Sequence, residues 1–369
     1  MRLALILLLA LVLPLPMSAQ VVYPPVRPDV ELAFPQDEGA HPEYKLEWWY
    51  VTGWLVGADR ARKPRGFQVT FFRVRTGIGE DNPSSFAPRQ VLFAHAALAD
   101  PDAGKLRHAQ RSGRATFDLV YARQGRADVR LDDWSIRGLD DGRYGTVVRG
   151  EDFALELTLQ ATQPPLLQGD RGFSRKGPDP RAASHYYSLP QLRVSGTVEV
   201  GGQREAVSGD AWFDHEWSSD YVDERALGWD WIGINLHGGG ALMAFGMRDS
   251  QGGERWAAAT LRPSPARRAT SPADTEEVKA FGQEDVAWTP LATWRSPRTG
   301  VEYPVRWRLR VGETTYRLEP LMRDAELDSR ASTGVLYWEG PVRLLDDASG
   351  RELGRGYLEL TGYGGKLDL

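Results

Sequence analysis

The stretch Asp210–Trp217 reads Asp-Ala-Trp-Phe-Asp-His-Glu-Trp and gathers three acids and a histidine among aromatic residues. In a strand, alternate residues share a face. Asp210, Trp212, Asp214 and Glu216 then lie on one side, and Ala211, Phe213, His215 and Trp217 on the other. The second set is the more apolar. That places His215 among aromatics inside a barrel and leaves the acids at a barrel mouth, between barrels or in solvent. A carboxyl group at a dry interface has a raised pKa and donates a proton near neutral pH. Protonating an isoprenoid-like double bond needs such an acid, aromatic faces for the carbocation and a water on the far side. Asp214 and Glu216 are therefore the candidate acids, with His215 orienting or activating water. The competing reading is structural: the acids anchor arginines and His215 is a hydrogen-bonded core histidine.

Further candidates could line a lipophilic site. In Glu47-Trp48-Trp49-Tyr50, Trp48 and Tyr50 share one face and Glu47 and Trp49 the other. Either face could meet a ligand, and tryptophan on a first barrel strand also plugs barrel floors. Trp229 and Trp231 repeat the pattern around Asp230, an acid less easily explained by packing. His95 faces the side of Phe93 and Ala97 in an otherwise apolar strand. Tyr186 and Tyr187 bring apolar bodies with polar tips. With Trp212, the ligand-binding candidates are Glu47, Trp48, Trp49, Tyr50, His95, Tyr186, Tyr187, Trp229 and Asp230. Arg175 and Lys176 precede them on a Gly/Pro-rich loop, where cations are usually solvated.

Other chemistry is not supported. The His237-Gly-Gly-Gly240 string resembles a lipase oxyanion loop, but no G-x-S-x-G elbow accompanies it, and it reads as a hairpin turn. No H-E-x-x-H, P-loop or dinucleotide fingerprint occurs. The six histidines are scattered without close pairs, so no metal and no cofactor is expected. With no cysteine there is no disulfide, thiolate or cluster chemistry. A net charge of −5 argues against nucleic acid as a partner.

The elements that must hold these residues are strands. Short β-branched or aromatic runs recur between Gly, Pro and Asp turns, among them Trp48–Val56, Phe67–Val74, Val91–Leu98, Phe153–Ala161, Leu192–Val200, Trp231–Leu236 and Tyr316–Leu321. Such spacing marks an all-β sandwich or barrel. Only Asp274–Phe281 has helical composition, and Pro263–Pro272 reads as a surface loop. A weak repeat matches Trp49–Gly53 with Trp229–Gly233, Gly66–Phe71 with Gly240–Phe245, and Gly209–Phe213 with Gly356–Leu360, which suggests duplication of one β-unit. The expected organisation is a signal peptide over 1–19, an extended Pro-rich linker over 20–45, and barrels over 46–221 and 222–369. Met1-Arg2 followed by the apolar run Leu3–Leu13 has the order of a secretory signal, and implies a periplasmic protein without a transmembrane segment in its mature chain.

Several strings also carry a family resemblance. Glu47–Leu55, Phe93–Asp100, Ser174–Leu192, Gly209–Ser219, Gly228–Leu236 and Tyr337–Tyr363 occur in an order that resembles the AttH-like secreted proteins, relatives of the carotenoid 1,2-hydratases. The resemblance implies two tandem lipocalin-like (calycin) antiparallel β-barrels. It implies three functions of different kinds. One is a periplasmic carrier of a lipophilic ligand or lipid beside an inner-membrane ABC-type exporter, the leading expectation. The second is a hydratase acting on an isoprenoid or carotenoid-like double bond, with Asp214 or Glu216 as proton donor. The third, from paired carboxylates, is a secreted hydrolase. A cavity with no buried acid favours the carrier, a dry pocket beside Asp214 or Glu216 the hydratase, and an open cleft with facing carboxylates the hydrolase.

Overall fold

The computed structural model describes residues 21–59, 61–222, 225–249, 251–265 and 277–365. The expected signal segment, the first part of Asp274–Phe281 and most of Pro263–Pro272 lie outside these residues. Where the helical expectation can be checked it is corrected: Lys279–Phe281 is a strand paired with Glu254–Arg262. Alanine and charged residues set the composition there, but the open edge of a sheet offers backbone partners that override propensity. Among the described residues the helical content is one short turn, Gln36–Glu38, and no helix is long and apolar enough to cross a membrane.

Two antiparallel sheets curl into barrels, one of 13 strands and one of 10. The first carries the consecutive neighbours Gln90–Asp100, Arg65–Arg75, Leu46–Gly57, Gln203–Ser218 and Ala183–Val200. The second carries Glu254–Arg262, Ala241–Asp249, Ala226–Leu236, Glu352–Leu360 and Leu336–Asp346 in the same arrangement. Each half therefore closes its first strand against its last, and the strings that repeat in sequence occupy equivalent strands. The repeated glycines have a common cause. A Cβ at Gly209 would stand 1.8 Å from the Trp54 carbonyl oxygen, and one at Gly356 would stand 1.8 Å from that of Gly233. Both positions need glycine because the neighbouring backbone passes too close for a side chain.

Alternation along the strands builds three apolar regions. Inward residues such as Trp49, Val51, Phe67, Phe71, Phe213 and Trp217 fill the first barrel. Ile232, Ile234, Leu309, Trp338, Leu358 and Leu360 fill the second. A third cluster uses outward residues of both barrels, including Tyr50, Tyr186, Trp212, Trp231, Phe245 and Tyr357, and joins them into one body. The Trp54 indole N–H crosses the seam to the Gly356 carbonyl at 2.9 Å. Residues 21–45 lie along the first barrel, with Leu32 and Ala40 in its core. Three of the fully buried indoles find backbone acceptors: Trp49 donates to the Glu38 carbonyl, Trp134 to Arg149 and Trp338 to Arg323. Burial of a large ring with a satisfied N–H is the use of tryptophan that stabilises a core best.

Candidate active site

The outward faces that meet at the seam leave a cavity of about 330 Å³ between the barrels. Strand Leu46–Gly57 sends in Trp48 and Tyr50, and Arg65–Arg75 sends Thr70 and Phe72. From the second barrel, Ala226–Leu236 contributes Trp229 and Trp231. Edge-to-face contacts fix the rings: Trp48 on Tyr221 at 4.7 Å, Tyr50 on Trp231 at 5.3 Å, Tyr221 on Trp229 at 5.6 Å. The size falls within the range of small-molecule pockets.

Four carboxyl groups stand in this aromatic wall: Asp214, Glu216 and Glu339, which are buried, and Glu359, which is half-buried. Asp214 accepts hydrogen bonds from the Ser188 hydroxyl (2.5 Å), the Trp212 indole (2.7 Å) and the Tyr186 hydroxyl (2.8 Å). The Tyr186 oxygen in turn accepts from the Trp231 indole at 3.1 Å. Burial pushes the Asp214 pKa up to about 7, against the three donors, and the Glu216 charge adds to the rise. Glu216 accepts from Ser184 and pairs with Lys176 at 2.6 Å. Burial raises its carboxyl and lowers the Lys176 ammonium, while their mutual attraction opposes both shifts. Lys176 itself sits over the rings of Phe245 and Tyr186 at 4.5 and 4.7 Å. The solvated cation expected on that loop is therefore a buried one, because Glu216 and three aromatic faces, Tyr221 included, replace its water.

Glu339 and Glu359 face each other directly across the antiparallel pair Leu336–Asp346 and Glu352–Leu360. Like charges in that relation repel. Burial comes first and the Glu359 charge second in raising the Glu339 carboxyl well above its ordinary range. Glu359 is pushed up to about 8 by burial and by the charges of Asp214 and Glu216, although the Trp229 indole donates to it at 3.1 Å. The pair consequently keeps a proton at neutral pH. Neither Glu339 Oε1 nor the Tyr50 hydroxyl facing it reaches hydrogen-bond geometry with another group among the described residues. The Tyr50 hydroxyl lies against the Glu339 carboxyl and opposes its upward shift.

On the opposite wall His95 closes a relay. Its Nδ1 is 2.6 Å from the Tyr337 hydroxyl and its Nε2 2.9 Å from Ser332 Oγ, which donates to Gln110 Oε1. Burial lowers its pKa to about 3, so the ring is neutral. The Tyr337 hydroxyl then donates to Nδ1, and Nε2–H donates to Ser332.

The family profile described as AttH-like matches residues 25–363. The chain belongs to the AttH-like family. An AttH protein of Nitrosomonas europaea, known as a crystal structure, is 50% identical over 92% of this chain and 99% of its own, with a TM-score of 0.83. Kievitone hydratase from Nectria haematococca is 15% identical over 93% of this chain and 96% of its own, with a TM-score of 0.66. CghA follows at 15% identity, 93% and 96% coverage and a TM-score of 0.50. None of the curated proteins compared with the chain matches it. These likenesses show the tandem lipocalin-like barrel fold.

In this AttH-like chain the cavity brings together Trp48, Tyr50, His95, Tyr186, Asp214, Glu216 and Trp229 from the residues singled out in the sequence, and Trp212 supports it through Asp214. It does not include Glu47, Trp49, Tyr187, His215 or Asp230. Glu47, Trp49, Tyr187 and His215 alternate into the first barrel, where Trp49 stacks on His215 at 4.7 Å. His215 therefore lies on the face opposite Asp214 and Glu216, among Trp49, Asp37 and Glu47. Asp230 alternates into the second barrel and pairs with Arg248 at 3.0 Å, with a hydrogen bond from Tyr363. Glu216, tied to Lys176, is an acceptor rather than a free acid. The histidines are also less scattered than their spacing implies, since His41 and His215 lie with ring centres 5.8 Å apart.

Sequence reading missed Glu339, Glu359 and Tyr337, and took Lys176 for a solvated loop cation. A signal for Glu359 was present: aligning Gly209 with Gly356 puts Glu359 at the position of Trp212, on the outward face. The raised carboxyls make stability depend on pH. Their folded pKa values exceed the unfolded ones, so the stability they contribute is full below about pH 4 and is lost as pH rises through 7 and 8. The expected result is a melting temperature that falls between about pH 5 and pH 8.5, with a shallower fall in Glu339→Gln. Calorimetry at matched ionic strength checks this; a slope unchanged by the substitution would rule out the shared proton.

Proposed function

We propose that this protein is a hydro-lyase that adds water to, or removes it from, a carbon–carbon double bond in a small lipophilic molecule. The observation that carries this reading is the cross-strand pair of Glu339, buried, and Glu359, half-buried, facing an aromatic cavity. A carboxylic acid kept neutral at working pH can protonate an unactivated alkene carbon, and water cannot. In the forward direction the proton moves from the pair to one alkene carbon. Positive charge develops on the neighbouring carbon, against the faces of Trp48, Trp229 and Trp231. A water molecule bonds to that carbon and gives up its proton to the Asp214 carboxylate, which Ser188, Trp212 and Tyr186 hold in place. Proton return from Asp214 to the pair restores the starting state. Atoms and charge balance with water as the second substrate.

Two further facts support the reading. The same fold is that of a kievitone hydratase. A passive lipid carrier would need only the aromatic walls, and burying three carboxyls and half-burying a fourth would cost it stability without a return. We infer that the reaction runs in the periplasm, a reading supported by the secretory-signal order of the sequence Met1–Ala19.

The test is incubation of the purified protein with acyclic isoprenoid alkenes in isotopically labelled water, followed by mass spectrometry. Gain of one labelled water per molecule is expected. Tight binding with no mass change across the panel, in both reaction directions, would leave the carrier reading standing instead. The pH profile of kcat/KM should be bell-shaped, falling below about 7 as Asp214 takes a proton and above about 8 as the glutamate pair loses its own. A profile flat from pH 6 to 9 would contradict the acid–base assignment.

A further inference from the structure

Inside the first barrel, away from the cavity, three residues distant in sequence turn toward one point. His41 Nδ1 lies 2.8 Å and His215 Nε2 2.9 Å from the same oxygen, Glu47 Oε1. The three ligand atoms lie within 4.8 Å of one another. We propose that His41, Glu47 and His215 form a binding site for one divalent transition ion of borderline softness, such as Zn²⁺.

The arrangement of the outer partners carries the argument. Each histidine commits its far nitrogen to Asp37: His41 Nε2 is 3.2 Å from the carboxylate, and His215 Nδ1 is 3.0 Å from the backbone carbonyl. Those oxygens accept, so each far nitrogen donates; without an ion each near nitrogen must also carry a proton to hydrogen-bond Glu47 Oε1, and an ion would take the place of those two protons. Two lone pairs and a carboxylate oxygen cannot converge without positive charge among them. Two added protons or one divalent ion supply the same charge, and one ion satisfies all three atoms at once. A metal-binding histidine typically has its other nitrogen tied to a carboxylate or carbonyl in this way. Two nitrogens and one carboxylate suit Zn²⁺, Co²⁺, Ni²⁺ or Fe²⁺ rather than Mg²⁺ or Ca²⁺.

The surroundings hold the ligands still. Trp217 stacks on His41 at 3.7 Å and 6°, and Trp49 on His215 at 4.7 Å and 20°. The second oxygen of Glu47 accepts from Arg73 Nε at 2.7 Å, and the His41 backbone N–H, at 3.1 and 3.0 Å from the two oxygens, fixes the carboxylate with Oε1 toward both rings. Glu47 and His215 are fully buried, while the His41 side chain is 13% exposed and marks the side open to water or a further ligand. The ion would cross-link residues 37–41 to the strands Leu46–Gly57 and Gln203–Ser218, whose other faces carry Trp48, Tyr50, Asp214 and Glu216. The site stands apart from the proposed hydration chemistry and does not depend on it.

The experiment uses the whole chain, dialysed against chelator and titrated with Zn²⁺ and, separately, Co²⁺. One ion per chain by elemental analysis, visible absorption from bound Co²⁺ and a melting temperature raised by about 3 °C or more are expected. Asp37→Ala leaves the ligands in place and should weaken binding about 10–100-fold. His41→Gln should weaken it further, and His237→Gln, on the other barrel, should leave it unchanged. His41 lies at the edge of the barrel, so its variant decides the matter even if His215→Gln fails to fold. Uptake below one ion per chain by the wild type, or uptake and stabilisation that persist in His41→Gln, would overturn the proposal.

Discussion

Glu339→Gln is expected to lower the rate of water addition by about 10²–10⁴-fold, or about 3–5 kcal/mol of activation free energy, while making the protein more stable. The two effects have one cause. Glutamine keeps the shape of the side chain but has no carboxyl proton to give. It also removes a carboxyl group that burial and the facing Glu359 both oppose. An ordinary structural residue behaves in the opposite way, since its loss lowers stability. Glu359→Gln should act similarly, although the Trp229 indole that donates to Glu359 can still bond an amide oxygen. Because the two groups share one proton, the double substitution should cost no more than the worse single one. Asp214→Asn should instead abolish the acidic limb of the pH profile, because an amide cannot take the proton from water. The checks are single-turnover rates and thermal melts on the same preparations. Retained turnover in Glu339→Gln and Glu359→Gln together would remove the pair from the mechanism.

How far this site can be read from sequence depends on which distances are local. Alternation along Asp210–Trp217 places Asp214 and Glu216 on one face and His215 on the other, and that division holds because the stretch is one continuous strand. The same logic separates Trp48 and Tyr50 from Trp49, and Trp229 and Trp231 from Asp230. Alternation does not say which face meets a cavity. That is decided by the packing of one barrel on the other, a contact between residues as far apart as Trp54 and Gly356. The glutamate pair shows the limit most clearly. Glu339 and Glu359 each look like a solvent-facing acid in a strand, and only the register of two strands joined by a turn sets them opposite each other. His41 and His215 meet for a similar reason, because residues 21–45 fold back over the barrel that follows them. The repeat is a long-range signal: aligning Gly209 with Gly356 gives Glu359 a face, though not a partner.

Glu47→Ala is expected to destabilise the first barrel by about 3–5 kcal/mol when measured in the presence of chelator, so that no bound ion contributes. Glu47 is fully buried, and it is the meeting point of Arg73 Nε at 2.7 Å, His41 Nδ1 at 2.8 Å, His215 Nε2 at 2.9 Å and the His41 backbone N–H at 3.0 Å. The Arg73 charge beside it, followed by the hydrogen bonds from His215 and His41, holds its carboxyl well below the usual range against the effect of burial. Removing the carboxylate leaves a guanidinium that is 2% exposed with no counter-charge at its Nε. The remaining Arg73 contacts, to Gln90 and to the carbonyls of His41 and Tyr44, are neutral acceptors. Restoring an apolar pair tests the cause. Glu47→Met with Arg73→Met should recover part of the loss, because the cost lies in the orphaned charge and not in missing volume. The urea midpoint, followed by tryptophan fluorescence, reports the transition; Trp49 and Trp217, which pack against this cluster, are among the 13 tryptophans that contribute. A loss below about 1 kcal/mol would mean that water reaches Arg73 and that the cluster is not the buried anchor its geometry describes.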